Sequence, residues 1–386
     1  MKINFILISL LFISCAGGSN SNSGGSKKNS PDDDYSWPVP EILESITLTG
    51  NPRGIKLFDV DSDDKLDMLV TRFGSHVVQV YRGDGLGGFV EDFELTTSNN
   101  PYQVKVVDVN DDNQKDILVS TWSSKMDVFL SNGDGTFADK VSYSTGSNAI
   151  DFVVEDFNED GILDIATTNY GSGSVSCLKG RGDGTFRLKV DYAVGGVGAE
   201  SWSMVAEDFN EDGNLDIIVA NFTANNISFL AGNGDATFDE KVDTALTDGD
   251  NPTGSAIYDV NGDEHLDLII LGYSSNKIRI YHGAGDGSFE LHESLDYNGG
   301  GYEVYVGDLT ASGNIDIITT SADIDGIFYI FRGKEDGSFH TPETFELGGN
   351  PRGIAFGLIN DDEFMDFVTA DWAGKIDRIV TPLNAD

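Results

Sequence analysis

Basic residues are scarce in this chain: 24 Lys and Arg stand against 65 Asp and Glu in 386 residues, a formal net charge of −41. That deficit excludes an electrostatic nucleic-acid binder and a polybasic membrane-surface protein. Cysteine is nearly absent, and the two present, Cys15 and Cys177, cannot build a disulfide framework. Proline is rare as well, at nine residues. The longest apolar run, Ile3 to Ile13, spans less than about 20 Å as a helix, short of the ~30 Å core of a bilayer. What the chain does hold is 39% hydrophobic and 10% aromatic residues, enough for a packed core despite the charge. It also holds 46 glycines, which point to many tight turns and so to β structure.

The first 39 residues read as an address and a spacer. Lys2, the short apolar run and then Ser14-Cys15 have the layout of an export signal over residues 1–14. The stretch LLFISC resembles a bacterial lipoprotein signal, with Phe12 where that pattern usually has leucine. The resemblance implies cleavage before Cys15, lipidation of its thiol, a membrane link through that anchor alone, and residence at the bacterial envelope, facing the periplasm or the cell surface. An ordinary secretory signal with an incidental cysteine is the alternative. Residues 15–39 are rich in Gly, Ser and Asn and read as a flexible tether.

From residue 40 to 386 the sequence repeats. A recurring acidic motif ends at Asp67, Asp116, Asp164, Asp216, Asp267, Asp316 and Asp366, at intervals of 49, 48, 52, 51, 49 and 50 residues. Periods of this size mean a solenoid or a propeller. Each unit reads as four short strands with an acidic loop after the first and a glycine turn after the third, so the spacing predicts an all-β, seven-bladed propeller. A ring must join its ends. The chain stops after the third strand of the seventh unit, and PEILESITLTGNPRG ahead of the first unit parallels PETFELGGNPRG ahead of the seventh. The N-terminal strand is therefore expected to complete the last blade.

At these residues the chain resembles the FG-GAP/VCBS repeat family, whose propellers also form integrin α-subunit heads. The resemblance implies metal in the acidic loops. The residues point the same way, with oxygen ligands at loop positions 1, 3, 5 and 9 and a backbone carbonyl expected at position 7. The first loop supplies Asp59, Asp61, Asp63, Lys65 and Asp67, and the second Asp108, Asn110, Asp112, Gln114 and Asp116. The third supplies Asp156, Asn158, Asp160, Ile162 and Asp164, and the fourth Asp208, Asn210, Asp212, Asn214 and Asp216. The fifth supplies Asp259, Asn261, Asp263, His265 and Asp267. Hard oxygen donors in this number suit calcium, at about five sites. The sixth loop has Thr310 and Ser312 in ligand places and the seventh has Leu358 at position 1, so both are expected to be weak or empty. Solvated turns are the alternative for all of them.

The opposite face carries a different pattern. Six residues before each loop stand Arg53, Tyr102, Ile150, Trp202, Thr253, Tyr302 and Arg352; six after it stand Phe73, Trp122, Tyr170, Phe222, Tyr273, Ala322 and Trp372. Aromatics with polar neighbours suit a glycan or a protein ligand, and Arg53, Tyr102, Trp122, Tyr170, Trp202, Tyr302, Arg352 and Trp372 are the candidate ligand residues. A wedge between blades is the competing role. Arg82-Gly83-Asp84 and Arg181-Gly182-Asp183 spell an adhesive tripeptide where the repeat's own turn already dictates Gly and Asp. Cys177 reads as an inert buried thiol. The five histidines are scattered and no nucleophile motif occurs. The reading is a monomeric, calcium-stabilised binding propeller without catalysis. A polysaccharide lyase on the same scaffold and a subunit of an envelope assembly are the alternatives.

Overall fold

A computed structural model describes residues 41–380, apart from 197, 247–248, 310–312, 323–325, 335, 361 and 363–364. Cys15, the signal and the tether lie outside the described residues, as do Thr310 and Ser312. The described chain forms seven four-stranded antiparallel sheets, six of them meanders in sequence order. The seventh closes as the sequence predicts: Glu41–Thr47 pairs with Lys375–Val380 and becomes the fourth strand of the last blade.

Within each blade the strands differ by burial, and the sequence explains why. Second strands such as Asp116–Thr121 (DILVST) and Asp267–Gly272 (DLIILG) are buried along their whole length, because a blade is covered on both faces by its neighbours. Outer strands such as Phe89–Thr96 (FVEDFELT) alternate polar residues toward solvent. The apolar side chains gather into seven clusters, each shared by two adjacent blades. Cys177 belongs to one of them, at the junction of blades three and four, and burial pushes its thiol up to about 12.

The first strands of neighbouring blades touch around the centre of the ring. Glycine permits the closest approaches. A Cβ at Gly353 would lie 2.1 Å from the carbonyl oxygen of Arg53, and one at Gly54 would lie 2.7 Å from that of Tyr102. The repeated Gly-Asn-Pro-Arg-Gly segments at 50–54 and 349–353 thus bring blades seven, one and two together where Arg352, Arg53 and Tyr102 sit.

The last aspartate of the motif has a fold role that its spacing does not reveal. Asp67 is buried, and its two oxygens accept the N–H of Val60 (2.9 Å) in the acidic loop and of Gly83 (2.9 Å) at the end of the third strand. Asp116, Asp216 and Asp267 make the same pair of bonds. So does Asp316 in the degenerate sixth loop, to Leu309 and Gly333 at 3.3 and 3.1 Å. Position 9 therefore pins each loop to its blade, whether or not the rest of the loop could hold an ion.

The glycine turns are longer than a two-residue hairpin. In blade two, Ser131 and Phe137 form a bridge, Asn132 N–H bonds Thr136 O at 2.9 Å, and Gly133 and Gly135 both take positive φ. Asp134 accepts the Thr136 N–H and hydroxyl, so the Asp-Gly pair marks an Asx turn inside a wider loop.

Candidate functional site

The acidic loops and the glycine turns share one end of the ring. In each of the first five loops the chain winds around the position-1 carboxylate. Asp59 accepts the N–H groups of Ser62, Asp63 and Asp64, and Asp156 those of Asn158, Asp160 and Gly161. Asp108, Asp208 and Asp259 are wrapped in the same way. The winding needs left-handed backbone at positions 4 and 6, held by Ser62 and Asp64 in loop one and by Glu159 and Gly161 in loop three. Position 5 accepts from the N–H of position 7: Asp63 from Lys65, Asp112 from Gln114, Asp160 from Ile162, Asp212 from Asn214 and Asp263 from His265.

These residues fit a hard cation. Asp59, Asp61 and Asp67 bring three carboxylate oxygens within 4.8 Å of one another. In the other loops position 3 is an amide. Asn110 and Asn261 donate to Asp112 and Asp263, and Asn158 donates to Asp164. Loop one has a resident cation of its own: the Arg82 guanidinium lies 3.2 Å from Asp61, 3.0 Å from Asp67 and 2.7 Å from Asp92. The first tripeptide is thus committed to the fold, since Gly83 donates to Asp67 and Asp84 accepts from Leu86 and Gly88. Asp183 of the second accepts from Thr185.

At the other end the candidate ligand residues come together as a collar. Trp372, Phe73, Trp122, Tyr170 and Trp202 contact in succession, with ring centroids 5.4, 6.3, 5.1 and 5.4 Å apart. The chain continues through Phe222, Tyr273 and Tyr302 at 5.7, 5.8 and 5.5 Å, and Tyr302 stacks back on Trp202 at 5.5 Å. Tyr102 stacks on Trp122 at 5.9 Å. Apart from Tyr102, these rings are only partly buried. They touch across blade boundaries, as the wedge reading expects, yet stay open to solvent, as the ligand reading requires. Ile150, Thr253 and Ala322, which interrupt the pattern, are buried.

Arg53 occupies the middle. Its guanidinium carbon lies 3.5 Å from the centroid of Tyr102 and 5.9, 5.6 and 5.7 Å from those of Trp202, Tyr302 and Trp372, so one side chain meets rings of four blades. Arg352 lies 3.9 Å over Tyr302 and 5.5 Å from Trp372. Alignment of the repeats placed both arginines on this face. That they share two rings follows only from the ring's curvature.

Beneath the collar the inner strands carry half-buried polar groups. Glu303 accepts from Gln103 (2.8 Å), the Tyr305 hydroxyl (3.1 Å) and Ile354 N–H (3.0 Å). Burial lowers the Lys56 ammonium pKa, with Glu303 opposing it. His76, at the collar's rim, takes the Asn100 N–H on its Nδ1 at 3.0 Å. His265 bonds Glu211, and His282 stacks on His292 at 3.9 Å, both at the acidic end.

Comparison with known proteins places this architecture. Among solved structures the chain is similar to BBS1N in complex with ARL6DN, at 10% identity and a TM-score of 0.63, covering 91% of this chain and 99% of that one. It is similar to a catalytically inactive virginiamycin B lyase from Staphylococcus aureus with quinupristin, at 15% identity, 89% and 100% coverage and a TM-score of 0.58. An Agrocybe aegerita lectin that recognises non-reducing terminal N-acetylglucosamine matches at 17% identity, 84% and 86% coverage and a TM-score of 0.54. At these identities the likeness is one of fold. No curated protein matches the sequence. The FG-GAP-like repeat matches five times, over residues 59–119, 108–167, 156–219, 208–270 and 259–319, each copy running from one acidic loop through the next. With most of its length in such repeats, the chain belongs to the FG-GAP-like repeat family.

Proposed function

We propose that this protein is a non-catalytic binding propeller at the bacterial envelope, tethered through Cys15, with calcium in its acidic loops and a glycan or protein ligand on the collar. The observation that carries the reading is the collar itself: nine aromatic side chains, all but Tyr102 partly open to solvent, surround a pair of arginines at the mouth of the ring. Flat rings offer faces to sugar C–H groups at little cost in side-chain entropy, and partly wet aromatics suit a protein partner equally. The structural neighbours support binding on this architecture, since one is held in complex with a protein and another recognises a terminal sugar.

The calcium part rests on the wrapped position-1 carboxylates and on 21 acidic side chains in five loops, which repel one another without a cation. Mature protein on a glycan array, read alongside tryptophan fluorescence, tests the ligand class. Retention of defined sugars supports the reading. Release of new unsaturated sugar ends would replace it with a lyase, and co-purification with envelope proteins without sugar binding would replace it with an assembly role. For the tether, Cys15→Ala is expected to shift the protein into the aqueous phase on detergent partition; unchanged partition contradicts the anchor.

A further inference from the structure

Arg53 is the anomaly of the collar. It is 8% exposed, and its guanidinium, whose nitrogens still reach solvent, makes no hydrogen bond or ion pair among the described residues. A buried cation normally finds a carboxylate, because desolvation without compensation is costly. Ring faces offset part of that cost without supplying a hydrogen-bond acceptor. Desolvation presses the Arg53 pKa well below its usual value, and the neighbouring Arg352 presses it further.

The nearby carboxylates are engaged elsewhere. Glu303 is satisfied by Gln103, Tyr305 and Ile354, and Asp371 accepts from Asn350 and Ala373. Arg352 spends its Nε on Asn350 at 2.7 Å, and its guanidinium carbon also lies over Tyr302 and Trp372. In a chain of net charge −41, two of only 24 basic residues are thus placed side by side on shared rings, and neither is ion-paired with a carboxylate among the described residues. Both come from the same Gly-Asn-Pro-Arg-Gly segment, whose final glycine allows the strand approach that sets them together.

We infer that the ligand of the collar is an acidic saccharide, whose carboxylate is received by Arg53 and Arg352 while its pyranose faces lie on the surrounding rings. The inference rests on the collar being the ligand site. Guanidinium groups match a planar oxyanion in a two-pronged geometry, which makes a carboxylate the fitting guest. A densely charged polyanion is disfavoured, because its further charges would lie against a molecule of net charge −41 with no basic groups beyond these two arginines offered by the collar. A sugar chain with isolated carboxylates meets both demands.

The test compares uronic- and sialic-acid glycans with their neutral, carboxyl-reduced counterparts, first on an array and then by titration calorimetry. The acidic forms are expected to bind at least tenfold more tightly than the reduced ones. Arg352→Gln should shrink that preference to about twofold, and Arg352→Lys should recover part of it. Equal binding of reduced and acidic forms overturns the inference while leaving the collar as a ligand site. Failure to retain any glycan overturns both. An Arg352→Gln variant that melts early but keeps its preference for the acidic form assigns the arginine to the fold and overturns the inference too.

Discussion

At one end of the ring seven equivalent aspartates, Asp67 through Asp366, stand in one buried setting. At the other, the corresponding positions read Arg53, Tyr102, Ile150, Trp202, Thr253, Tyr302 and Arg352. The acidic end repeats because the fold reuses one tie: position 9 joins loop to strand through two backbone N–H groups in blades one, two, four, five and six, the last despite its missing loop ligands. The aromatic end departs from the repeat, and under the proposed function its departures are where a symmetric scaffold acquires one particular site. On that reading, periodicity marks what holds the ring and broken periodicity marks what it presents.

The comparison can be pressed first by removing metal. With a dissociation constant near 0.1 mM and ~1 mM calcium, each bound loop would add roughly 1.4 kcal/mol, or at most about 7 in all for five independent sites. That is a large part of a typical domain's ~5–15 kcal/mol. Chelator should therefore lower the melting temperature by many degrees. Millimolar calcium should restore it where magnesium does not, because Mg²⁺ demands a tighter octahedron. Next in size is Asp316→Ala. It deletes a tie of two N–H bonds to a carboxylate and should cost about 3 kcal/mol, equally with and without calcium. A loss that disappears in chelator would make position 9 a metal ligand before all else.

Asp160→Ala and Asp212→Ala, at position 5, should each remove about one site's share, roughly 1.4 kcal/mol, and only when calcium is present. Calorimetric melts with and without chelator separate the two classes. Loop one should respond less, because Arg82 already neutralises Asp61 and Asp67. Arg82→Met is therefore expected to increase the calcium-dependent part of the stability. Smallest of all is Ser312→Ala in the sixth loop, where no measurable change in the calcium dependence is expected.

Much of this was legible in the sequence, for a physical reason. Blade count and closure follow from a period near 50 residues and from the paired NPRG segments, because a propeller writes the same burial pattern into every unit. The two faces were separable because a meander sends alternate loops to opposite ends. Other features were not legible. The tie from Asp67 to Gly83 joins residues 16 positions apart on neighbouring strands, and the Arg82 bridge joins residues 15 and 21 positions apart. Neither has a local signature. Arg53 could be placed on the right face, but its contact with rings at 102, 202, 302 and 372 arises only when the ring closes.

The division of labour between the two ends is tested most directly by Trp122→Ala combined with Trp372→Ala, with ligand titration and melting followed on the same calcium-loaded sample. Both rings are partly exposed and contact Phe73. The expected result is loss of binding with a melting temperature within a few degrees of the parent. A collapse in stability of the several kcal/mol that follows deletion of a buried tryptophan would make the collar a wedge between blades and contradict its role as the ligand site.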